Sequence, residues 1–253
     1  MSLALQAQIS KASEMIKDAN HIAAFTGAGI SVESGIPPFR GEGGIWNKYP
    51  PELLEISHFL TDPLTTWKAI KEIFYTFEHT VKPNEAHIAL AKLEARGFLK
   101  AIITQNIDNL HQEAGSKTIF EFHGNMKYVR CLDCQAEFEV MRILQDNSMI
   151  PPLCPTCETG LLKPDFIFFG EDIPKMAYRN TMDQAKIADL FIVVGTTGQV
   201  VPASYIPIIA KQNGCKIIEI NPQPSSYTNT ITDLFIQCKA GEALKQIAAL
   251  ILK

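Results

Sequence analysis

HIAAFTGAGISVESGIPPFRGEGGIW, residues 21–46, passes from an apolar run through a glycine turn into a loop of prolines, aromatics and an arginine. The pattern predicts a short buried strand over 21–25, a turn at Thr26-Gly27-Ala28-Gly29, and the first turn of a helix over 30–34. Glycines at a strand end let the backbone approach a ligand closely, and the helix start beyond them offers free N–H groups to a pyrophosphate. The match to the G-x-G-x-x-G dinucleotide fingerprint is partial: the third position holds Val32, and the next glycine is Gly35. A glycine pair alone equally describes a tight turn that binds nothing. Ile36-Pro37-Pro38-Phe39-Arg40-Gly41 argues against that bland reading, because an ordinary surface loop would be short and polar.

On either side of this stretch, helices and strands alternate. Further strands are expected at 99–104, 118–122, 166–169, 190–194, 216–220 and 233–237. Helices are expected over 1–20, from Asp62-Pro63 to about Thr80, from Asn84 to Gly97, and over 108–114, 175–187, 204–212 and 241–253. This order predicts an α/β fold, a parallel sheet covered on both faces. In open sheets of this kind ligands bind beyond the carboxyl ends of the strands. The strands exit into Thr26-Gly27-Ala28-Gly29, Thr104-Gln105-Asn106-Ile107-Asp108, His123-Gly124, Phe169-Gly170-Glu171, Gly195-Thr196-Thr197 and Asn221-Pro222. Each is an ordinary turn by composition, but together they describe a polar ligand held along one sheet edge.

Bulk properties exclude several classes. The chain has 253 residues, 46% hydrophobic and 20% charged, which is globular and large enough for one domain with an insert or for two. A net charge of −4 gives no general attraction to nucleic acid, so no direct nucleic-acid partner is expected. Residues 1–20 read as an amphipathic helix, not a secretory signal, and no apolar run reaches membrane-spanning length. A cytoplasmic protein is the expectation.

Cys131-Leu132-Asp133-Cys134 and Cys154-Pro155-Thr156-Cys157 are the sharpest local signal. Two C-x2-C knuckles separated by residues 135–153 have the spacing of a tetrahedral four-thiolate zinc site, whose closed shell makes the metal structural. Disulfides are the alternative, and a cytosolic chain would keep these thiols reduced. Cys215 and Cys238 lie in or beside apolar strands and read as buried small hydrophobes.

GAGISVESGIPPFRG (27–41), TQNIDNLH (104–111), FHGN (122–125), the paired knuckles, FFGE (168–171), GTT (195–197) and INP (220–222) occur together in this order. In this the chain resembles sirtuins, the NAD-dependent protein-lysine deacylases, over almost its whole length. The resemblance implies a Rossmann-like doubly wound parallel sheet, formed by residues 1–41, 83–124 and 164–253. It also implies a small domain made of a helical insert, 42–82, and a zinc ribbon, 125–163. NAD is then a co-substrate and an acyl-lysine protein or peptide is the partner; the sequence does not reveal the oligomeric state, and a monomer is the default expectation.

Carried onto matching positions, the resemblance puts Gly27, Ala28, Gly29 and Ser31 near the pyrophosphate. Phe39, Arg40 and Trp46 fall on a cofactor loop, and Gln105, Asn106, Ile107 and Asp108 around the ribose and nicotinamide. Gly195, Thr196, Thr197, Asn221, Pro222, Gln223 and Ala240 would hold the adenosine half, with Thr197 where sirtuins often carry Ser. Phe168, Phe169, Gly170, Glu171 and Val200 would form the peptide groove.

The chemistry consumes NAD, and it needs a base near the ribose. His123, with an ordinary pKa near 6.5, can serve at neutral pH. Asn106 and Asp108 complete the catalytic set by orienting the ribose and a water molecule. His21, His58, His79, His87 and His111 read as core or surface histidines. Sirtuins that prefer acidic acyl groups carry a W-x-x-Y-x-x-R pattern on the insert; counted from Trp67, this chain has Ile70 and Ile73 there. Without a guanidinium to pair a carboxylate, acetyl or longer apolar acyl groups are expected.

Overall fold

The computed structural model describes residues 2–75, 81–146 and 149–252. A six-stranded sheet carries β1 (Ile22–Thr26), β2 (Leu99–Thr104), β3 (Ile119–Glu121), β7 (Leu190–Val194), β8 (Lys216–Asn221) and β9 (Leu234–Gln237). Their order is β3-β2-β1-β7-β8-β9, and every neighbouring pair is parallel. The chain builds outward from β1 through β2 to β3, then returns to β7 on the other side of β1. That reversal makes a topological switch point between β1 and β7, where open α/β sheets bind ligands.

Alternation along the strands sets the layers. Ile22 and Ala24 of β1, with Ile102, Ile192 and Ile218, face a cluster that includes Ile9 and Ile16 of α1 (Leu3–Asp18). Leu90 and Leu93 of α4 (Glu85–Ala95) and Leu244 and Ile247 of α9 (Ala240–Ile251) complete that layer. Ala23 and Phe25, with Ile103, Phe191 and Val193, face the other way, onto Ala185 of α7 (Lys175–Ile187) and Ile206 of α8 (Tyr205–Gln212). Side chains on successive residues of a strand point to opposite faces, so each strand supplies both layers. Asn84 caps α4 by accepting from the Ala86 N–H at 2.9 Å. The short α5 (Leu110–Glu113) follows β2.

A second, antiparallel sheet joins β5 (Glu137–Glu139), β4 (Gly124–Cys131) and β6 (Leu162–Phe166), followed in chain order after β5 by α6 (Val140–Asp146). Against it pack α2 (Ile56–Thr61) and α3 (Pro63–Ile70), through Phe59, Trp67 and Ile70 on Val129, Leu162 and Phe166. The Trp67 indole N–H donates to the Leu162 carbonyl at 2.9 Å, tying insert to ribbon.

Three expectations change. The apolar run 166–169 is not a strand of the parallel sheet: β6 ends at Phe166 and pairs with β4, while Phe169 makes a lone bridge to Glu55. Residues 28–34 form a 3-10 helix, not an α-helical turn, and Gly35 closes it at φ 95°. The helix begun at Pro63 ends at Ile70 and passes into one π turn, Lys71–Tyr75; residues 76–80, and His79 with them, lie outside the described residues.

Candidate active site

The glycine turn sits at the switch point. The Gly27 N–H donates to Val194 O at 3.0 Å and the Gly29 N–H to Gly195 O at 2.8 Å, so the loop after β1 lies directly on the loop after β7. A methyl group added at Gly27 would come within 2.8 Å of Gly195 O and Thr196 Cβ, and one at Gly29 within 2.7 Å of Gly195 Cα. Gly195 itself has φ 64°, and a side chain there would overlap the Ile30 nitrogen. Thr196 ties this corner together: its hydroxyl accepts from Gln105 Nε2 at 3.1 Å and its carbonyl from Asn221 Nδ2 at 2.7 Å. Thr197, Pro222 and Gln223 are exposed beside it and Ala240 is buried at the start of α9.

Ser31 is the hub of the next shell of polar groups. Its hydroxyl donates to Asp108 Oδ2 at 2.7 Å and accepts from Asn106 Nδ2 at 3.2 Å. The second Asp108 oxygen accepts the Leu110 N–H at 3.0 Å, and burial raises the Asp108 pKa above the usual carboxylate value. Ala28, Ser31, Phe39, Asn106, Ile107 and Asp108 all line one cavity of about 590 Å³, which Ile73, Phe74 and Met126 continue as an apolar wall. That size suits one large polar organic ligand.

His123 lies on the other side of Gln105. Its Nδ1 is 3.1 Å from the Gln105 carbonyl, and since a carbonyl can only accept, Nδ1 carries the proton and Nε2 keeps its lone pair. Burial lowers the His123 pKa, against the smaller opposing effect of that hydrogen bond, so the imidazole is neutral at physiological pH. His123 does not line the 590 Å³ cavity; Gln105 joins the two, with its carbonyl on His123 and its amide on Thr196.

The segment after β6 closes the site. The Ile167 N–H donates to His123 O at 2.8 Å, while Phe169 exchanges backbone bonds with the insert: Phe169 N to Leu54 O at 2.8 Å and Ile56 N to Phe169 O at 3.0 Å. Phe168 is buried on Phe59, ring centroids 5.3 Å apart, whereas Phe169 and Gly170 are exposed and Val200 is half-buried. Trp46 stands between Phe39, at 5.2 Å, and Phe169, at 6.2 Å, and its buried indole N–H has no acceptor among the described residues. Arg40 is exposed on the same loop.

The other described histidines all have partners: His21 with Gln184, His58 with Thr66, His87 with Ser31 and the Asn84 N–H, His111 with Thr26. His87 and His111 are buried against each other, centroids 4.9 Å apart, directly behind Ser31. Burial pushes their pKa values down to about 4 and about 3. The sequence marks His87 and His111 as core or surface histidines, which their burial bears out, but not their place behind Ser31, and it does not mark Lys163, a buried lysine of β6.

The four knuckle cysteines converge. Their sulfurs all lie within 4.8 Å of one another, with Cys131–Cys157 at 3.7 Å and Cys134–Cys154 at 3.6 Å. Zinc bonds of about 2.3 Å at tetrahedral angles require sulfur edges of about 3.8 Å, whereas a disulfide needs about 2.05 Å. The geometry therefore fits a metal held by four thiolates. Backbone N–H groups of Asp133, Thr156 and Gly160 approach the sulfurs at 3.4 Å, as electron-rich thiolates ask.

The Sir2 family profile matches residues 27–202. An NAD-dependent protein deacylase of Pyrococcus furiosus is 45% identical over 247 residues, covering 94% of this chain and 96% of the relative. A solved Sir2 structure with p53 peptide and NAD+ superposes with TM-score 0.88 at 33% identity, covering 96% of this chain and 98% of the other. A Sir2 variant holding a deacetylated p53 peptide and 3′-O-acetyl ADP ribose reaches TM-score 0.91 at 34% identity, with the same coverage.

Proposed function

The chain belongs to the Sir2 family, and from that premise we propose how its residues divide the work of an NAD-dependent protein-lysine deacetylase. NAD is the acceptor: the substrate amide oxygen bonds to ribose C1′ as nicotinamide leaves, a ribose hydroxyl then attacks the acyl carbon, and water supplies the C1′ hydroxyl as the lysine amine departs, giving O-acetyl-ADP-ribose. The glycine cradle of Gly27, Ala28, Gly29 and Gly195 takes the pyrophosphate, and Thr196 and Asn221 organise the adenosine side. The Ser31–Asn106–Asp108 cluster forms the floor for the nicotinamide end, where Asn106 and Asp108, both held by the Ser31 hydroxyl, orient the ribose and a water.

The observation that carries the reading is the state of His123. With Nδ1 committed to the Gln105 carbonyl and burial keeping the ring neutral, Nε2 is a base available at pH 7. It takes the proton of the ribose hydroxyl as that oxygen attacks the acyl carbon. The peptide is read as lying along Phe168–Glu171, beside the His123 backbone, as an added strand. The cavity wall of Ile73, Phe74 and Met126 supports acetyl or longer apolar acyl groups, since the one lysine lining the cavity among the described residues, Lys127, is half-exposed and already paired with Glu139 at 3.4 Å.

The same reading takes 42–82 with 125–163 as the small domain and 1–41, 83–124 and 164–253 as the large one. The Trp67–Leu162 bond and the shared core of insert and ribbon support it. Four cysteines gathered as metal ligands and two buried outside any disulfide support a reducing, cytoplasmic setting; no helix of the described residues is long and apolar enough to cross a membrane.

The test is mass spectrometry of NAD with acetyl-, succinyl- and long-chain acyl-lysine peptides. Nicotinamide and O-acetyl-ADP-ribose are expected in equal amounts from the acetyl peptide. His123→Ala should lower turnover by about 10²–10⁴-fold, the usual contribution of a general base, with an unchanged circular dichroism spectrum. Full activity in that variant removes His123 from its role, and ADP-ribosylated protein in place of O-acetyl-ADP-ribose replaces deacetylation with ADP-ribosyl transfer.

A further inference from the structure

Lys163 is the second residue of β6, 7% exposed. Taking an ammonium out of water is expensive, and a hydrophobe of similar length would fill the ribbon core without that cost. Burial accordingly lowers the Lys163 pKa, against the attraction of Glu171. The three N–H bonds of the ammonium go to three acceptors on one short stretch: Pro164 O at 2.8 Å, Phe166 O at 2.9 Å and Glu171 Oε2 at 2.9 Å. Nζ also lies 4.3 Å from the centre of the Phe168 ring. Glu171 returns to the same stretch, accepting the Phe168 N–H at 2.7 Å, while its own N–H donates to Phe168 O at 3.1 Å.

Every one of these contacts lands on residues 164–171. The outer bonds of that stretch run to His123 on one side, through Ile167, and to the insert on the other, through Phe169. We propose that Lys163 is a positioning residue for the acyl-lysine substrate: it clamps Glu171 to the end of β6 at Pro164 and Phe166, and so ties the 167–171 segment back toward the His123 backbone, without itself touching peptide or NAD. The proposal rests on reading Phe168–Glu171 as the peptide wall. The NAD cradle, built on the β1 and β7 loops, receives none of these bonds.

The experiment uses the full, zinc-loaded chain. Lys163→Met is expected to raise the KM for acetyl-lysine peptide about tenfold, the scale of losing one charged hydrogen bond. The KM for NAD and kcat should stay within about twofold. The Kd of a fluorescein-labelled acetyl peptide, measured without NAD, should weaken in parallel, and Lys163→Arg should recover part of the loss. Should Lys163→Met fail to fold, Glu171→Gln keeps the wall's acceptor but removes the ion pair, and is expected to shift the peptide KM the same way by a smaller factor. A lower Tm with unchanged peptide KM, or equal rises in both KM values, overturns the proposal. If Phe169→Ala leaves the peptide KM untouched in an active enzyme, the wall reading itself fails and the proposal falls with it, while deacetylation stands.

Discussion

The two sheets of this protein are held together by different forces. In the parallel sheet, IAAFT of β1 and LFIVV of β7 are buried at every position, with apolar layers on both faces. In the ribbon, β5 has no buried residue and β4 alternates irregularly, and two of the buried residues are the thiols Cys131 and Cys154. A strand buried on both faces is stabilised by area alone, at roughly 25 cal/mol per Å². A strand with little to bury needs another link. The cleft therefore has one wall built on burial alone, and one where β6 and the insert share an apolar core and the four cysteines add a metal link to the thinly buried β4 and β5.

The largest effect that could break this comparison comes from removing zinc. Structural zinc of this type contributes on the order of 10 kcal/mol to folding. Chelation, or Cys154→Ser, should open 125–163 to protease while peptides from 190–252 stay resistant, and deacetylation should vanish. Cleavage spread evenly along the chain would mean that the two walls unfold as one.

The next largest sits on the burial-built wall. Gly195→Ala puts a side chain at φ 64° into the Ile30 nitrogen, in backbone that cannot retreat without separating β1 from β7. A loss of about 3–5 kcal/mol in urea unfolding is expected, comparable with the worst core substitutions, together with lost NAD binding and undiminished zinc content. Retained NAD affinity would show that the cradle tolerates more movement than its contacts suggest.

How much was legible in the sequence follows the same division. The glycine cradle was readable because a strand end packed on another strand end admits no Cβ, and the knuckles because four thiolates around one ion impose a spacing. Asp108 and His123 were readable as strand-exit residues. The run 166–169 misled, since Phe-Ile-Phe-Phe satisfies either sheet and only its partner, β4, decides. The helix Ile56–Thr61 was missed because six residues are too few for a helical period to declare itself. Lys163 was invisible for a different reason: a lysine in a strand normally signals a solvent-facing position, and its three acceptors are backbone and a glutamate eight residues on.

A medium effect sharpens the comparison through pH. The buried pair His87 and His111 lies on the parallel-sheet side, and residues 125–163 contain no histidine. Their folded pKa values, about 4 and about 3, lie below the unfolded value of 6.5. Below pH 6.5 the unfolded chain thus binds protons that the fold refuses, so stability falls as pH drops from 6.5 toward 4. The slope approaches about 1.4 kcal/mol per pH unit for each histidine. Urea unfolding of the zinc-loaded protein at pH 7, 6, 5 and 4.5 measures it, and His87→Gln should make it shallower, His123 adding to the slope in the same direction because burial lowers its pKa too. A slope unchanged in both His87→Gln and His111→Gln would assign acid sensitivity to His123 and the ribbon thiolates instead.

The smallest effect tests whether the ribbon owes anything to its surface charges. Arg130 of β4 meets Glu137 of β5 at 2.6 Å and Asp165 of β6 at 3.2 Å, a bridge across all three ribbon strands. Both Arg130 and Glu137 are about four-tenths exposed, 40% and 44%, so water screens the attraction and ordering two side chains offsets much of it. Glu137→Gln also leaves the Asp165 partner in place. A change below about 0.5 kcal/mol is expected, read as an unchanged EDTA concentration for half-maximal proteolysis of 125–163. If the metal alone links those strands, losing this pair leaves that midpoint where it was; a marked drop would mean that the arginine shares the load and that the two walls differ less than their burial implies.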